Sequence, residues 1–276
     1  MKRYISIFSR KLPLNFRKAF SRGVYYTIQI QMYKLLLNTQ HHEKLPFKFI
    51  FTFIKFTGNI LKFKKSLLLI EILEGQHKSY SQIGQDLFVL ITLNRKRNGF
   101  FVEIGAGDGV HLSNTYLLEN EFGWTGILVE PNKSFYSECC RNRTSLVKNN
   151  LILNRSGSKI KFYEKELGEF SHADGFGDSS VSYVIDSYEV ETIEFNNLFN
   201  ELNPPIVIDF LSIDTEGSEF EILRSVDFNR FKSKIICIEH NFNKKRRKSY
   251  KRLLTQYGYE LMYPGISRWD SWFVLK

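Results

Sequence analysis

The feature that most constrains the fold is a glycine-rich turn placed between two apolar runs. The run at 99–105 leads into a turn with three glycines, and the next run, at 126–130, ends in a single acid, Glu130. Short apolar runs of this kind predict parallel strands, and glycines at the carboxyl end of such a strand let a ligand approach the backbone closely. The pattern therefore predicts an α/β sheet whose edge holds a ribose-containing cofactor.

The rest of the sequence from residue 80 onward continues this alternation. Apolar runs predict strands at 99–105, 126–130, 145–153, 206–214, 234–240, 259–263 and 271–275, and periodicity predicts helices at 113–121, 132–142, 217–226 and 244–257. An insertion at 155–198 predicts a hairpin of 159–163 with 190–195 around a loop at 168–182. Alternating strands and helices indicate a mostly parallel sheet covered by helices. A loop as long as 168–182 is typical of a functional lid.

The positive charge lies in the first 78 residues. The chain of 276 residues has a net charge of +10, and residues 1–78 contain 15 Lys and Arg against 3 acidic residues. We therefore divide the chain into a basic N-terminal extension, 1–78, and a nearly neutral α/β domain, 79–276. Three cysteines are too few for a disulfide framework, which favours a reducing compartment and a cytoplasmic protein.

Within the extension, residues 44–66 predict an amphipathic helix. Polar side chains recur every three or four residues, four of them lysines, and phenylalanine and isoleucine fill most of the remaining face. A wide aromatic face with a lysine stripe is typical of a helix lying in a membrane interface. We expect peripheral contact at the inner face of a membrane, with a packing face inside the protein as the alternative. No uncharged run approaches the roughly 20 residues that span a bilayer.

The glycine turn itself distinguishes between cofactors. Its glycines, Gly105, Gly107 and Gly109, do not follow the G-x-G-x-x-G spacing of a dinucleotide site. Glu103 precedes the first glycine by two residues, and Asp108 lies inside the turn. Carboxylates repel a pyrophosphate but attract a sulfonium and an α-amino group, so the turn favours S-adenosylmethionine over NAD. The acid that ends the next strand is suited to accept both ribose hydroxyls.

Four further motifs identify a family. They are Tyr80-Ser-Gln-Ile-Gly-Gln-Asp86, Ser113-Asn-Thr115, Gly123-Trp-Thr-Gly126 and Ile213-Asp-Thr-Glu-Gly-Ser-Glu219. Together with the glycine turn, they make residues 79–276 resemble the FkbM family of S-adenosylmethionine-dependent methyltransferases. The resemblance implies a class I, Rossmann-like methyltransferase fold with seven strands, one of them antiparallel. Characterised members methylate hydroxyl groups of sugars or natural products, so we expect a small-molecule or glycan acceptor.

The resemblance also implies which residues bind the cofactor. Carried over by position, the methionine part of the cofactor is lined by Glu103, Gly105, Gly107 and Asp108. Glu130 holds the ribose, and Pro131 and Asn132 shape the adenosine edge. Asn150 or Asn149 contacts the adenine, and Gln85 closes the pocket.

The chemistry of hydroxyl methylation adds a second set of candidates. A hydroxyl acceptor loses a proton as the new bond forms, which requires a base or a metal ion. Asp214, His240 or Glu216 would serve as the base. Alternatively, Asp214, Glu239 and Asn241 would coordinate Mg²⁺, which prefers oxygen ligands. For Glu216 a simpler role is possible, since acids stabilise a helix N-terminus.

Two other functions compete with O-methylation. The basic cluster at 244–252 and the basic extension would suit an RNA methyltransferase, but the chain has no Asn-Pro-Pro-aromatic motif, and the lysines at 44–66 lie among phenylalanines. We therefore expect no nucleic-acid partner. The other alternative is a membrane-peripheral scaffold without catalysis, which the glycine turn, Glu130 and Asp214 disfavour.

Overall fold

The computed structural model describes residues 79–177, 182–202 and 204–276. The basic extension, with the predicted interface helix at 44–66, lies outside the described residues and stays a prediction. Among the helices of the described part, none combines the length and the apolarity needed to cross a bilayer.

Six helices and eleven strands are formed in the described part. The helices are α1 (Gln85–Thr92), α2 (Tyr116–Phe122), α3 (Lys133–Asn142), α4 (Phe195–Leu202), α5 (Glu219–Ser225) and α6 (Lys244–Gln256). The strands are β1 (Phe100–Ile104), β2 (Thr125–Val129), β3 (Leu146–Lys148), β4 (Leu151–Leu153), β5 (Lys159–Lys165), β6 (His172–Ala173), β7 (Val184–Glu194), β8 (Val207–Ile213), β9 (Lys232–Glu239), β10 (Tyr259–Met262) and β11 (Asp270–Leu275).

The main sheet has seven strands in the order β10-β11-β9-β8-β1-β2-β3. β3, β2, β1, β8 and β9 pair in parallel, whereas β11 runs antiparallel to both β9 and β10. The strand order reverses beside β1, where the chain crosses from β3 to β8. In open α/β sheets ligands bind at such a reversal, outside the carboxyl ends of the strands. The topology therefore places a binding site beyond Ile104, Val129 and Ile213.

The central strands are apolar because both faces of the sheet are covered. β8 is buried from Ile208 to Ile213, and β1 from Phe101 to Ile104. Parallel strands between two helical layers are expected to be near-continuous apolar runs. Glu103 interrupts β1 with a carboxylate that is 2% exposed. A charge buried at that depth requires partners, and its partners form part of the site.

A second sheet, with the order β4-β7-β5-β6, is formed by the insertion. The predicted hairpin is present, with Ile160 of β5 opposite Val190 of β7 in an antiparallel pair. The predicted strand at 145–153 is divided between the two sheets: β3 joins the main sheet and β4 joins the second. The division falls at Asn149, whose side chain donates to the carbonyl oxygens of residues 130 and 131 and turns the chain away.

Candidate active site

A cavity opens at the carboxyl ends of β1, β2, β8 and β9, where the topology places a ligand. The space between its walls is about 990 Å³, counted with the solvent at its open mouth. One wall is the glycine turn after β1. The opposite wall belongs to the second sheet and to the segment before it, through residues such as Leu151, Phe162 and Ala173.

The glycine turn lies against the neighbouring strand ends. The amides of Gly105 and Ala106 donate to the carbonyl oxygen of Val129, at 2.9 and 3.3 Å. Gly105 has a φ of +83°, and a Cβ there would overlap the carbonyl oxygen of Asp214. Gly107 has a φ of +56°, but a Cβ there would meet no protein atom within 4 Å. The first glycine is thus required by the protein itself, whereas the second leaves open space beside the cavity.

Glu130 lies at the far side of the turn, directly after β2. It is 6% exposed, and its two oxygens accept from the amides of Gly107 and Asn132, both at 2.8 Å. Burial raises the pKa of Glu130 from 4.5 to about 7, against the lowering effect of these hydrogen bonds. Each carboxylate oxygen retains a lone pair beyond its amide, so Glu130 has acceptor capacity for a ligand. The geometry fits a group that presents a pair of hydroxyls, as a ribose does.

Glu103 lines the cavity, but its oxygens are already engaged inside the protein. It accepts from Ser113 Oγ at 3.0 Å and from the amide of Asn114 at 2.7 Å, and also from the hydroxyl of Thr115. The guanidinium of Arg143 lies 3.7 Å away. Burial raises the pKa of Glu103, and the Arg143 charge and these donors offset part of that rise. Glu103 therefore connects the loop after the turn to β1, and its oxygens have little acceptor capacity left for a cofactor.

Asp108 also differs from the expected arrangement. Its Oδ1 accepts from the amides of Val110 and His111, at 2.8 and 2.7 Å, so the carboxylate closes the turn on itself. It is not among the residues that line the cavity. Acidic residues often stabilise turns through such local hydrogen bonds.

The edge predicted to hold the adenosine is divided between binding and structural residues. Pro131 and Asn150 line the cavity, whereas Asn132 begins α3 as its N-cap by accepting from the amide of Phe135. Phe135 and Phe162 also line the cavity, and neither was a candidate from the sequence. Aromatic residues in an amphipathic helix and a half-buried strand carry no signal in the sequence that separates them from core residues.

Gln85 lies at the first position of α1 and lines the cavity, as expected for a closing residue. Its Nε2 donates to Asp270 Oδ2 at 2.8 Å, and its Oε1 accepts from the amide of Ile83. Burial raises the pKa of Asp270 to about 7. Gln85 thereby connects the entry to α1 with the start of β11.

Three carboxylates meet at the ends of β8 and β9. Asp214, Glu216 and Glu239 line the cavity, and one oxygen from each lies within 4.8 Å of the others. Burial raises the pKa of Glu216 to about 7 and that of Asp214 well above its usual range, and the neighbouring acids add to the effect at both. Burial and the Asp214 charge raise the pKa of Glu239 in the same way. We call these three residues the acidic trio.

The two remaining candidates lie away from the cavity. His240 is 2% exposed and does not line it, and burial lowers the pKa of its imidazole. Asn241 is exposed, with a φ of +48°, and its amide donates to the carbonyl oxygen of Trp269. The turn after β9 directs both residues away from Glu239, although they follow it directly in the sequence.

This sheet order, with one reversed strand and a cavity at the carboxyl ends of the parallel strands, is that of the class I S-adenosylmethionine-dependent methyltransferase fold. The sequence matches the methyltransferase FkbM domain over residues 103–261. The chain belongs to this family. No curated protein sequence gives a match.

Several solved structures are similar to the chain at low sequence identity. A precorrin-6y C5,15-methyltransferase from Geobacter metallireducens GS-15 is 13% identical with a TM-score of 0.40, over 71% of this chain and 89% of that one. The methyltransferase FkbM from Methylobacillus flagellatus KT is 13% identical with a TM-score of 0.44, over 82% of this chain and 57% of that one. A putative RNA methyltransferase from Pyrococcus horikoshii is 10% identical with a TM-score of 0.38, over 70% and 82%.

Proposed function

We propose that the chain transfers a methyl group from S-adenosylmethionine to a hydroxyl of a sugar, a glycolipid or a related metabolite. The observation that carries this proposal is the acidic lining of the cavity. No Lys or Arg of the described residues lines it, but six acidic side chains do. These six are Glu103, Glu130, Glu169, Asp214, Glu216 and Glu239.

Such a cavity selects against polyanionic acceptors. A phosphodiester brought among these acids would meet no Lys or Arg of the described residues, and those carboxyls that are ionised would repel it. A cationic cofactor and an uncharged hydroxyl compound meet no such barrier. The acidic lining therefore supports the expectation that a nucleic acid is not the acceptor.

The binding roles follow from the acceptors that remain available. Glu130 would accept from the ribose hydroxyls, since each of its oxygens has one lone pair beyond its amide contact. Gly107 would let the cofactor approach the turn, because the space beside its Cα is open. Pro131, Asn150 and Phe135 would enclose the adenine. When bound, the cofactor supplies an electrophilic methyl group, and the enzyme chiefly orients and shields the reacting atoms.

The acceptor hydroxyl would be bound at the opposite end of the cavity, near β8 and β9. Asp214 and Glu216 line the cavity, and we expect their carboxylates to receive a proton from the acceptor or to hold a cation that acidifies it. His240 does not line the cavity, which makes it the weakest of the three predicted bases.

The direct test is methyl transfer by the full chain. Purified protein is incubated with isotope-labelled S-adenosylmethionine and with separate pools of extracted glycans, glycolipids and RNA, and labelled products are identified by mass spectrometry. We expect the label in the glycan or glycolipid pool, on oxygen. Label in RNA alone would contradict the proposal, and absence of cofactor binding by calorimetry would favour the scaffold.

A separate measurement addresses RNA directly. Binding to phosphates through Lys and Arg weakens steeply with salt, because counterions are released. We expect no RNA binding that shows such a slope, despite the basic start of α6. A steep salt dependence together with methylated RNA would reverse this assignment.

We further propose that residues 44–66 bring the enzyme to a membrane surface that presents its acceptor. Full-length protein carrying Lys48→Glu and Lys55→Glu would float less with anionic liposomes than the unmodified chain. Lys159→Glu, at an exposed position of β5, is the matched control. Equal flotation of all three proteins would indicate that 44–66 is a packing face.

A further inference from the structure

We propose that the acidic trio, Asp214, Glu216 and Glu239, binds one divalent cation. Asp214 and Glu216 follow β8 and Glu239 ends β9, so two adjacent parallel strands bring the three carboxylates to one edge of the sheet. An oxygen of each lies within 4.8 Å of the others. Carboxylate oxygens without sulfur or nitrogen ligands select hard cations such as Mg²⁺, Mn²⁺ and Ca²⁺.

Proximity of acids alone does not make a metal site, but Glu239 provides an independent sign of a missing partner. Its side chain is 8% exposed and lines the cavity, and its Oε2 has no hydrogen-bond donor. A buried carboxylate left unpaired is costly, since the lost hydration is not replaced. Glu239 therefore brings to the trio a buried oxygen that receives no hydrogen bond.

Among the described residues no Lys or Arg forms an ion pair with the three carboxylates. Arg246 pairs with Glu219 instead, at 3.6 Å, although its charge also acts on Glu216. Carboxylates held close together in a buried site repel one another. A bound divalent ion would remove that repulsion.

The separation of the oxygens is close to what a single ion requires. Three oxygens spread evenly around one cation are separated by about 1.7 times the metal–oxygen distance, roughly 4.0–4.5 Å for Ca²⁺ and roughly 3.5–3.6 Å for Mg²⁺. The three oxygens of the trio all lie within 4.8 Å of one another, so side-chain rotation would bring them into coordination range.

The ligand set differs from the one expected from the sequence. Asn241 is exposed after β9, whereas Glu216 lines the cavity from the turn that precedes α5. Glu216 has a φ of +54°, so the turn reverses here and carries the side chain to the sheet edge. From the sequence, Glu216 was a candidate base or an acid at a helix N-terminus and not a metal ligand, because the turn geometry is not visible in residue types.

The position of the trio suggests its use, which rests on the proposed O-methylation. Glu130 follows β2, on one side of β1, and the trio follows β8 and β9, on the other side. If the ribose lies at Glu130, the trio is at the end of the cavity left for the acceptor. A cation there would bind the acceptor hydroxyl and lower its pKa.

The test measures cation binding without cofactor or acceptor. Mn²⁺ is titrated into metal-stripped, full-length protein, and the free ion is followed by electron paramagnetic resonance. We expect one bound Mn²⁺ per chain, displaced by Mg²⁺ or Ca²⁺. Glu239→Gln and Glu216→Gln should each weaken binding at least tenfold, since each removes one anionic ligand. Glu121→Gln, which removes an exposed acid that does not line the cavity, should leave it unchanged.

Two further readouts keep the result interpretable. Thermal melting in EDTA shows whether each variant is folded, and added Mn²⁺ should raise the melting temperature of the parent protein but not of folded Glu216→Gln. No loss of free Mn²⁺ signal at millimolar concentrations, or equal binding by all variants, would overturn the proposal. So would the finding that the substitutions weaken S-adenosylmethionine binding in EDTA while Mn²⁺ never binds, because the trio would then hold the ammonium group of the cofactor.

The outcomes also separate this inference from the proposed function. Mn²⁺ binding without methylation of any hydroxyl compound would leave the cation site standing and remove the O-methylation proposal. Hydroxyl methylation that persists in EDTA, with no Mn²⁺ bound, would do the opposite.

Discussion

Replacing Glu130 by glutamine isolates the ribose contact from the stability of the turn. In the folded protein the two carboxylate oxygens accept from the amides of Gly107 and Asn132. Glutamine keeps the size of the side chain but offers one oxygen and an NH₂ group. One of the two amides therefore loses its acceptor, and a ribose hydroxyl loses a charged partner.

The effect on stability can be worked out from the pKa. The rise from 4.5 to about 7 means that ionised Glu130 is disfavoured in the fold by about 3 kcal/mol. This group stabilises the cofactor-free protein below its unfolded pKa, and that stability is lost as the pH rises from 4.5 through 7. At pH 8 glutamine relieves this penalty but leaves one buried amide unpaired, at about 1–3 kcal/mol. The two terms nearly cancel, so the free energy of unfolding should change by less than about 2 kcal/mol.

The effect on the cofactor does not cancel. A hydrogen bond to a charged group contributes about 1.5–3 kcal/mol, which corresponds to a loss of roughly 10- to 150-fold in affinity. Because the ribose hydroxyls favour the ionised carboxylate, affinity of the parent protein should also rise with pH through about 7. Glutamine should abolish the part of this pH dependence that comes from residue 130.

Isothermal titration calorimetry with S-adenosylmethionine from pH 6 to 8.5 and urea unfolding measure the two quantities on the same preparations. Glu121→Gln serves as the control, because it removes an exposed carboxylate outside the cavity and should alter neither quantity. An unchanged affinity in a folded Glu130→Gln protein would refute the assignment of the ribose to this residue.

Two further predictions concern the turn and the buried charges behind it. Gly107→Ala should cost about 1–2 kcal/mol of stability because of its positive φ, and it should abolish detectable cofactor binding. Gly105→Ala should also unfold the protein, because its Cβ overlaps the carbonyl oxygen of Asp214. Calorimetry and circular dichroism distinguish the two outcomes. Arg143→Ala should destabilise the fold by about 3–5 kcal/mol in urea unfolding, because it removes the cation beside buried Glu103 and half-buried Glu119, while exposed Arg224→Ala should change it by less than about 0.5 kcal/mol. Similar losses for the two arginines would show that the buried network contributes little.

Much of the main sheet was predictable because its strands are buried on both faces. The apolar runs at 99–105 and 206–214 predict strands, because such continuous apolar runs are stable only when both faces are buried. They form β1 and β8 nearly to the residue. The hairpin of β5 and β7 was predictable for a related reason, because its alternation reflects one covered face. The helix α4, in contrast, continues directly from β7 without a turn residue to mark its start, and it was missed.

The site was predictable in its backbone and less so in its charges. Gly105, Gly107 and Glu130 lie where the spacing placed them, because strand ends in a parallel sheet meet at one edge. The engagement of Glu103 was not foreseeable, since its partners Ser113 and Arg143 approach it only after α2 and α3 have packed. Whether a carboxylate faces a ligand or a neighbouring amide depends on such tertiary contacts, which residue types do not encode.

The antiparallel strand β11 has a consequence for how the protein is made. β11 lies between β9 and β10, and its Trp272 and Phe273 are fully buried. While residues 270–275 are still inside the ribosome, the edge of β9 is unpaired and part of the core is empty. Exposed strand edges of this kind pair readily with other chains. We therefore expect nascent chains that stall before Asp270 to depend on chaperones, and the domain to become self-sufficient only as its last strand emerges.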